Sequence, residues 1–478
     1  MFSRVLLRPL LALVALSVPL ACSETIVRVP APTEPDAEEE PAAPAPAADA
    51  YPAGPLLSAE ACVADHAAAY RPAVPAACAS KRTCVDDRGR FWLDGAPFFP
   101  RGAYNNGADY RKLLTNCPAG APCNATTPKD VTAYVRAIAD VGLNLVAERS
   151  RYGAELLEAI HAEPRVHIAH LLWSDPFTQD GHDAMVQDVE AAAADPDVVM
   201  WFGPDEVDLN DNFAMAAGIR RILRGAGTPV DALLDGKHRA PAGAHLPANE
   251  PAHDPHGLPF GAALAFERGL RAARDVYDVS MPITYPFGAL GDDPTNGGEW
   301  GTWRSSDLAL GLPAVPVLQM VGIPEMGLAQ PRAEQIKGLI ASSLVHGARG
   351  AFYYTLIGDK PSLLGRKGWY AADDSEAWAA HKEMHALEDR LLPVLHASAS
   401  ERMDKGGVVE WRELTVGARR VLLVVNPAPA AVTFDLDAVV KRRDSERVRA
   451  FESCAPVTTR STTLAGYGFL VLEVTGGA

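Results

Sequence analysis

Between Phe98 and Leu356, short apolar runs alternate with longer stretches in which apolar residues recur every three or four positions. The runs are FFPRGAY from Phe98, LNLVAE from Leu143, VHIAHLLW from Val166, VVMWFG from Val198, APAGAHL from Ala240, YDVSMPITY from Tyr277, VPVLQMV from Val315 and ARGAFYY from Ala348. Such alternation predicts βα units wound around a parallel sheet. Eight units in about 260 residues fit the length of a (β/α)8 TIM barrel. The first intervening helix has Thr127 as a capping residue, Pro128 in its first turn, and Val131, Tyr134, Val135 and Ile138 on one face. The seventh repeats the device, with Pro331 and Glu334 at its start, Ile336, Leu339, Ile340 and Leu344 along a face, and Gly347 near its end. The fifth strand, at Ala240, is poor in β-branched residues and sits in an irregular stretch from Gly227 to Gly261.

Beyond a last amphipathic helix from Ser375 to His396 the period changes to two. GVVEWREL, RRVLLVVN, VTFDLD and YGFLVLEV, separated by Asn-Pro, Gly and Asp turns, predict a small antiparallel β-sandwich over residues 397–478, after a barrel over 98–396.

The first 21 residues are of another kind. Arg4 and Arg8 precede a run from Pro9 to Ala21 in which only Ser17 is polar, and Cys22 follows. The run reads as a secretory signal, short of the 20 or so apolar residues a permanent span needs. Ala21-Cys22 resembles a bacterial lipobox, which implies a lipidated Cys22 and membrane attachment through that lipid. Residues 22–55, rich in Pro, Ala and acids, cannot build a core and read as a disordered stalk. Six cysteines remain, an even number in an exported chain, and favour disulfides. Cys117 and Cys123 bracket a turn-rich loop and form the expected pair. Cys62, Cys78, Cys84 and Cys454 allow three pairings, and residues 56–97 become a disulfide-containing N-terminal segment. No CxxC or HxxxH spacing suggests zinc, and no metal or cofactor is implied.

The net charge of −16 repels phosphate backbones, so nucleic acid is not expected as a partner. Hydrophobic residues make up 48% of the chain, enough for a large core. No phosphate loop and no GxSxG elbow is present.

In a barrel of this kind chemistry sits on the loops after the C-terminal ends of the strands. Strand four runs into MWFGPDEVDLN, placing Asp205 and Glu206 just past an apolar strand, where Trp201 and Phe202 could desolvate a carboxyl and raise its pKa for acid catalysis. Aromatic residues collect on the same loops. Sugars present apolar C–H faces beside hydroxyls, so Tyr104, Trp173, Tyr285, Tyr354 and Trp369, with Asp205 and Gln319, are candidate substrate contacts. For Tyr353 and Tyr354, core packing competes with that role. Arg101, Glu148 and Arg149 suit a buried ion network beneath the site, and His167 and His170 suit the core.

The string FWLDGAPFFPRGAYNN, the GLNLV strand, the DE pair and HGARGAFYY together resemble the clan A glycoside hydrolases over roughly residues 90–395. The resemblance implies a general acid/base Glu after strand four, which maps onto Glu206, and a nucleophilic Glu at the end of strand seven. Two departures stand out. Asp205 occupies a place where the clan has Asn, and an ionised Asp cannot donate to a sugar hydroxyl. Strand seven reads VLQMVGIPEMG, so Gln319 lies within it and its first acid is the later Glu325. The sequence reading is therefore an exported, membrane-tethered glycoside hydrolase with Glu206 and Glu325 as its carboxyl pair and a carbohydrate as partner. Its alternative is a catalytically inactive glycan-binding surface lipoprotein.

Overall fold

The computed structural model describes residues 56–104, 130–148, 154–204, 208, 212–265, 267–287, 311–320, 322, 328–354, 357–358, 368–369, 375–404, 407–441 and 445–476. Helix α1 (Ala59–Ala69) opens on Ser58, whose hydroxyl accepts from the Ala61 amide at 3.2 Å. An antiparallel sheet of β1 (Thr83–Val85), β2 (Phe91–Leu93) and β3 (Ala96–Phe98) follows.

The barrel strands are β4 (Arg101–Tyr104), β5 (Leu145–Glu148), β6 (His167–Leu171), β7 (Val198–Phe202), β8 (Phe260–Leu264), β9 (Val279–Thr284), β10 (Val317–Gln319) and β11 (Ala351–Tyr354). They pair in parallel in sequence order. β11 returns to β4 through Ala351 opposite Arg101 and Tyr353 opposite Ala103, which closes the barrel. The helices between them are α2 (Val131–Asp140), α3 (Ala154–His161), α4 (Gln179–Ala193), α5 (Phe213–Arg224), α6 (Pro229–Asp235), α7 (Glu267–Val276) and α8 (Ala333–Val345), and α9 (Ser375–Ala397) follows β11.

Strand alternation sorts the side chains into two cores. Leu145, Ala147, Ala169, Val199, Phe202, Ala263, Val279, Met281, Val317 and Phe352 fill the lumen, and Phe91 and Phe98 of the N-terminal sheet plug its lower end. Their chain neighbours Val146, Ile168, Trp201, Ala262, Leu318 and Tyr353 face the helices. The lumen is tight. A Cβ on Gly102 of β4 would lie 2.1 Å from the ring of Phe352, its partner on neighbouring β11, so glycine there is the condition for that phenylalanine to lie in the lumen.

Seven strands lie in the runs that the pattern marked, and the fifth does not. Residues 240–246 form turns and irregular backbone, and strand five is Phe260–Leu264. Two physical reasons account for the error. The stretch before β8 carries Pro241, Pro247, Pro251, Pro255 and Pro259, each lacking the amide that a ladder needs. In FGAAL, in turn, the lumen-facing residues Gly261 and Ala263 are small, and a Cβ on Gly261 would lie 3.0 Å from the Met281 sulfur, so the run lacks the β-branched residues that mark a strand. The cap of α2 also moves: Asp130, not Thr127, accepts from the Ala133 amide at 2.7 Å, and the helix begins at Val131.

The C-terminal region is a five-stranded antiparallel sheet in the order β14 (Ser400–Asp404), β15 (Glu410–Val416), β16 (Arg419–Val425), β20 (Phe469–Thr475) and β18 (Arg447–Ala450). It faces a two-stranded sheet of β17 (Val432–Asp435) and β19 (Ser461–Leu464), with the short helix α10 (Leu436–Val440) between. Leu422, Val424, Leu472 and Val474 point into this sandwich, while Val421, Leu423, Val425 and Val471 point at α8 and α9. Fully buried Arg412 reinforces the docking, donating to the Leu344 carbonyl at the end of α8 and to Glu401, both at 2.6 Å.

Two disulfides settle the open pairing. Cys62 joins Cys454, tying α1 to the C-terminal sheet across nearly the whole chain, and Cys78 joins Cys84. Around the first, Glu473 accepts from Tyr70 at 2.5 Å and from Arg449 at 2.6 Å. Cys22, Cys117 and Cys123 lie outside the described residues. Among the described residues no helix is long and apolar enough to cross a membrane.

Candidate functional site at the barrel mouth

The carboxyl candidates Asp205, Glu206 and Glu325 lie outside the described residues, and the site is therefore built from what surrounds them. Strand β7 leads into buried Gly203 and Pro204 on one side of residues 205–207. On the other side stands Asp208, fully buried. Its carboxylate accepts from the Ala265 amide at 3.0 and 3.2 Å, and its carbonyl accepts from Arg268 at 2.5 Å. Both partners belong to the turn after β8 and the start of α7. The approach is close enough that a Cβ on Gly269 would come within 2.3 Å of the Asp208 carboxylate. The segment carrying the DE pair is thus flanked by a strand end and a buried carboxylate pinned to the neighbouring βα turn. Asp208 also helps to push the Tyr277 hydroxyl pKa well up, an effect second to that residue's complete burial. The sequence reading overlooked Asp208. Its one signal was a third acid two positions after Glu206.

Strand parity corrects the proposed surroundings of Glu206. Phe202 faces the lumen, but Trp201 points into the helix layer, where its indole donates to Asp254 at 2.9 Å, so only Phe202 is aimed toward the mouth.

On the opposite wall, β9, β10 and β11 end side by side. Ile283 and Tyr285 continue the lumen face of β9, and Phe352 and Tyr354 that of β11. The rings of Tyr285 and Tyr354 stack, with centroids 5.8 Å apart and planes 28° from parallel. Both are half-buried, as is Leu171 at the end of β6. Tyr353, by contrast, faces outward and is buried against α9, its hydroxyl 3.0 Å from His385 Nε2. The competition between core packing and ligand contact for the two adjacent tyrosines resolves by direction: one faces the helices and one faces the mouth.

Gln319 is the last residue of β10, level with Tyr354, and is buried. Its Oε1 accepts from the Phe287 amide at 3.1 Å and its Nε2 donates to the Ala329 carbonyl at 2.7 Å. It therefore fastens the loop after β9 to the loop after β10. Gln330 continues the clasp, donating to the Met320 carbonyl at 2.6 Å and accepting from the Gly322 amide at 3.1 Å. Gln330 was not legible as a site residue, since an isolated Gln after a strand carries no pattern.

The remaining candidates divide by place. Tyr104 ends β4 opposite Ala147 of β5. Trp173, two residues past β6, is 48% exposed, which is unusual for so large an apolar ring and leaves it able to meet a ligand. Trp369 lies in a short hairpin beyond β11, where β13 (Gly368–Trp369) pairs with β12 (Ile357–Gly358). Arg101 lies on the outer face of β4 and pairs with exposed Asp389 at 2.5 Å and buried Glu388 at 3.6 Å on α9, an ion network only partly buried behind the barrel wall. His170 is likewise on the outer face, 3.2 Å from Asp188. Glu148 ends β5 opposite His170, and Arg149 lies outside the described residues.

The described lumen-facing groups at the mouth are aromatic, aliphatic and amide. They offer flat apolar faces with hydroxyl tips, a surface suited to sugar rings.

No protein-family model and no curated protein sequence matches the chain. Among solved structures, the fold is similar to an Anoxybacillus α-amylase, with a TM-score of 0.50 at 8% identity over 80% of this chain and 98% of that one. A family 5 glycoside hydrolase from Bacteroides vulgatus gives 0.48 at 14% identity over 85% and 95%. An α-amylase from Geobacillus thermoleovorans, complexed with acarbose, gives 0.48 at 10% identity over 80% and 99%. At these identities the likeness is one of fold alone.

Proposed function

We propose that this chain is an exported, membrane-tethered glycoside hydrolase whose Glu206 protonates the glycosidic oxygen. The observation that carries the reading is the mouth itself: the strand bearing the DE pair opens across the lumen from a stacked Tyr285–Tyr354 pair. This supports a reading in which carboxyl chemistry and an aromatic sugar platform share one cleft. Glu325, in the loop that Gln319 and Gln330 clasp, is the proposed nucleophile. A retaining mechanism requires it roughly 5 to 5.5 Å from Glu206.

A second reading is favoured by one specific observation. Strand seven ends on Gln319, an amide with its side chain committed to backbone partners, at the position where the resemblance implies a nucleophilic carboxylate. An inactive glycan-binding protein would keep the aromatic platform and dispense with that acid.

The experiment is a screen of the purified protein on chromogenic glycosides and polysaccharides, with binding measured in parallel. Hydrolysis by wild type and its loss in Glu206→Gln supports the enzyme. In an active protein, Glu325→Ala should abolish turnover and azide should restore part of it as a glycosyl azide of inverted configuration. Glycan binding with no hydrolysis on any substrate selects the second reading.

A further inference from the structure

The first turn of α4 and the proline-rich strap between α6 and β8 meet at a cluster that the barrel chemistry does not use. His182 closes that turn and Asp183 follows it, and His245 comes from the strap, where its amide donates to the Phe177 carbonyl at 2.8 Å. Nitrogen and oxygen atoms of these three side chains all lie within 4.8 Å of one another, and the two imidazoles meet edge to face with centroids 5.1 Å apart.

The hydrogen bonds around His182 fix which of its nitrogens faces the cluster. Nε2 lies 2.8 Å from Oε2 of buried Glu250, and Glu250 Oε1 is held by His253 Nε2, also at 2.8 Å. A carboxylate accepts and does not donate, so Nε2 donates to Glu250, and Nδ1 is the nitrogen left facing the cluster, 3.4 Å from Asp183 Oδ1. Gln179 donates to both oxygens of Asp183 at 2.8 and 2.9 Å. That bond first, and His182 second, hold the Asp183 carboxyl below the usual carboxylate range.

We propose that His182 Nδ1, Asp183 and His245 bind a Zn2+ ion, with water as fourth ligand. Tetrahedral zinc with bonds near 2.0–2.1 Å sets its ligands about 3.3 Å apart. The His182–Asp183 pair already has that separation. The rest of the closure falls on side chains free to move, since Asp183 is more than half exposed and His245 is half-buried. Glu250 has the role of the carboxylate that orients a metal-bound imidazole through its far nitrogen, and it is itself immobilised by His253. Two imidazoles and one carboxylate suit Zn2+ over the oxygen-seeking Ca2+ and Mg2+. The ion would staple the strap to α4 at the end of the barrel where Trp173 is exposed, with an open coordination position toward solvent.

The test uses the full, untagged chain in detergent, stripped with EDTA and titrated with Zn2+ against a fluorescent chelator. One equivalent should bind. His245→Ala should weaken it at least tenfold and Glu250→Gln by 10- to 100-fold, while millimolar Mg2+ or Ca2+ leaves it in place. His161, which lies near Asp195 and Asp197 in a second group of donors, supplies the control. Zinc retained in His161→Ala and lost in His245→Ala supports the site. The reverse pattern, unchanged affinity in His245→Ala, or no binding to wild type at tens of micromolar zinc would overturn it. Because His245 is half-buried in a loop, its substitution leaves the core intact, and far-ultraviolet circular dichroism and the melting temperature of the metal-free variant check this. None of these readouts depends on glycosidase activity.

Discussion

Tyr285 and Tyr354 stack 5.8 Å apart although 69 residues separate them in the chain, because β9 and β11 flank the short β10 and each tyrosine continues the lumen face of its strand. A ring pair of this kind contributes about 1 kcal/mol beyond its burial. Under the proposed function, Tyr354→Ala should weaken glycan binding roughly fivefold and Tyr354→Phe much less, since stacking needs the ring and not the hydroxyl. Affinity electrophoresis or calorimetry on a bound oligosaccharide tests this. Equal loss in both variants would point to the hydroxyl instead.

Gly269→Ala is expected to disturb the loop that bears the DE pair without touching any ligand. The new methyl would sit 2.3 Å from the Asp208 carboxylate, so either Asp208 releases the Ala265 amide or α7 shifts. Overpacking of this sort costs about 1–3 kcal/mol. Chemical denaturation should register that loss, and Ala substituted at Gly476, which has nothing within 4 Å and no left-handed backbone, should leave stability unchanged.

Removal of the Cys62–Cys454 bridge should lower stability by about 2–5 kcal/mol, toward the upper end, because the bond closes a loop of nearly the whole folded chain. The Cys78–Cys84 bridge spans six positions and should matter less. Urea unfolding of Cys62→Ser/Cys454→Ser beside Cys78→Ser/Cys84→Ser compares them directly. A larger loss in the second would contradict the loop-closure account.

Burial pushes the Glu388 carboxyl up to about 7, against the opposing pull of Arg101. The folded form therefore holds a proton that the unfolded chain has released above its ordinary value of 4.5. Linkage makes this group's contribution fall as pH rises from about 4.5 to about 7 and level off above. Glu388→Gln mimics the protonated side chain, so it should flatten that decline and be more stable than wild type at pH 8. The sign reverses for Glu401. There burial is outweighed by the Arg412 and Arg349 guanidiniums, which hold its carboxyl at about 2. Its stabilisation is complete above 4.5 and is lost as pH falls toward 2. Thermal melts across pH 3–9 separate the two.

Cys22→Ser should release the protein into the soluble fraction if the lipobox reading is right. Fractionation with continued membrane retention of that variant would reject the lipid anchor.

The sequence by itself determined the architecture, because both of its periods are local. A strand buried on both faces shows as a short apolar run, and a helix against it shows as a stripe, so seven of the barrel strands, the helices at Val131 and Ala333 and four of the seven later antiparallel strands could be read directly. Where the local signal was weak the reading failed. The small lumen-facing residues of Phe260–Leu264, Gly261 and Ala263, are set by crowding inside the lumen, a property of the closed barrel and not of the strand. Direction and partnership belonged to the tertiary structure alone. Tyr353 and Tyr354 are indistinguishable in sequence, yet strand parity at closure sends one to α9 and the other to the mouth. Gln319 reads as a polar intrusion in a strand, and only the loops after β9 and β10 arriving beside it make it a clasp. Cys62 finds Cys454, and His182 meets His245, for the same reason: their spacing along the chain carries no pattern, and the elements that hold them become neighbours only when the whole chain has packed.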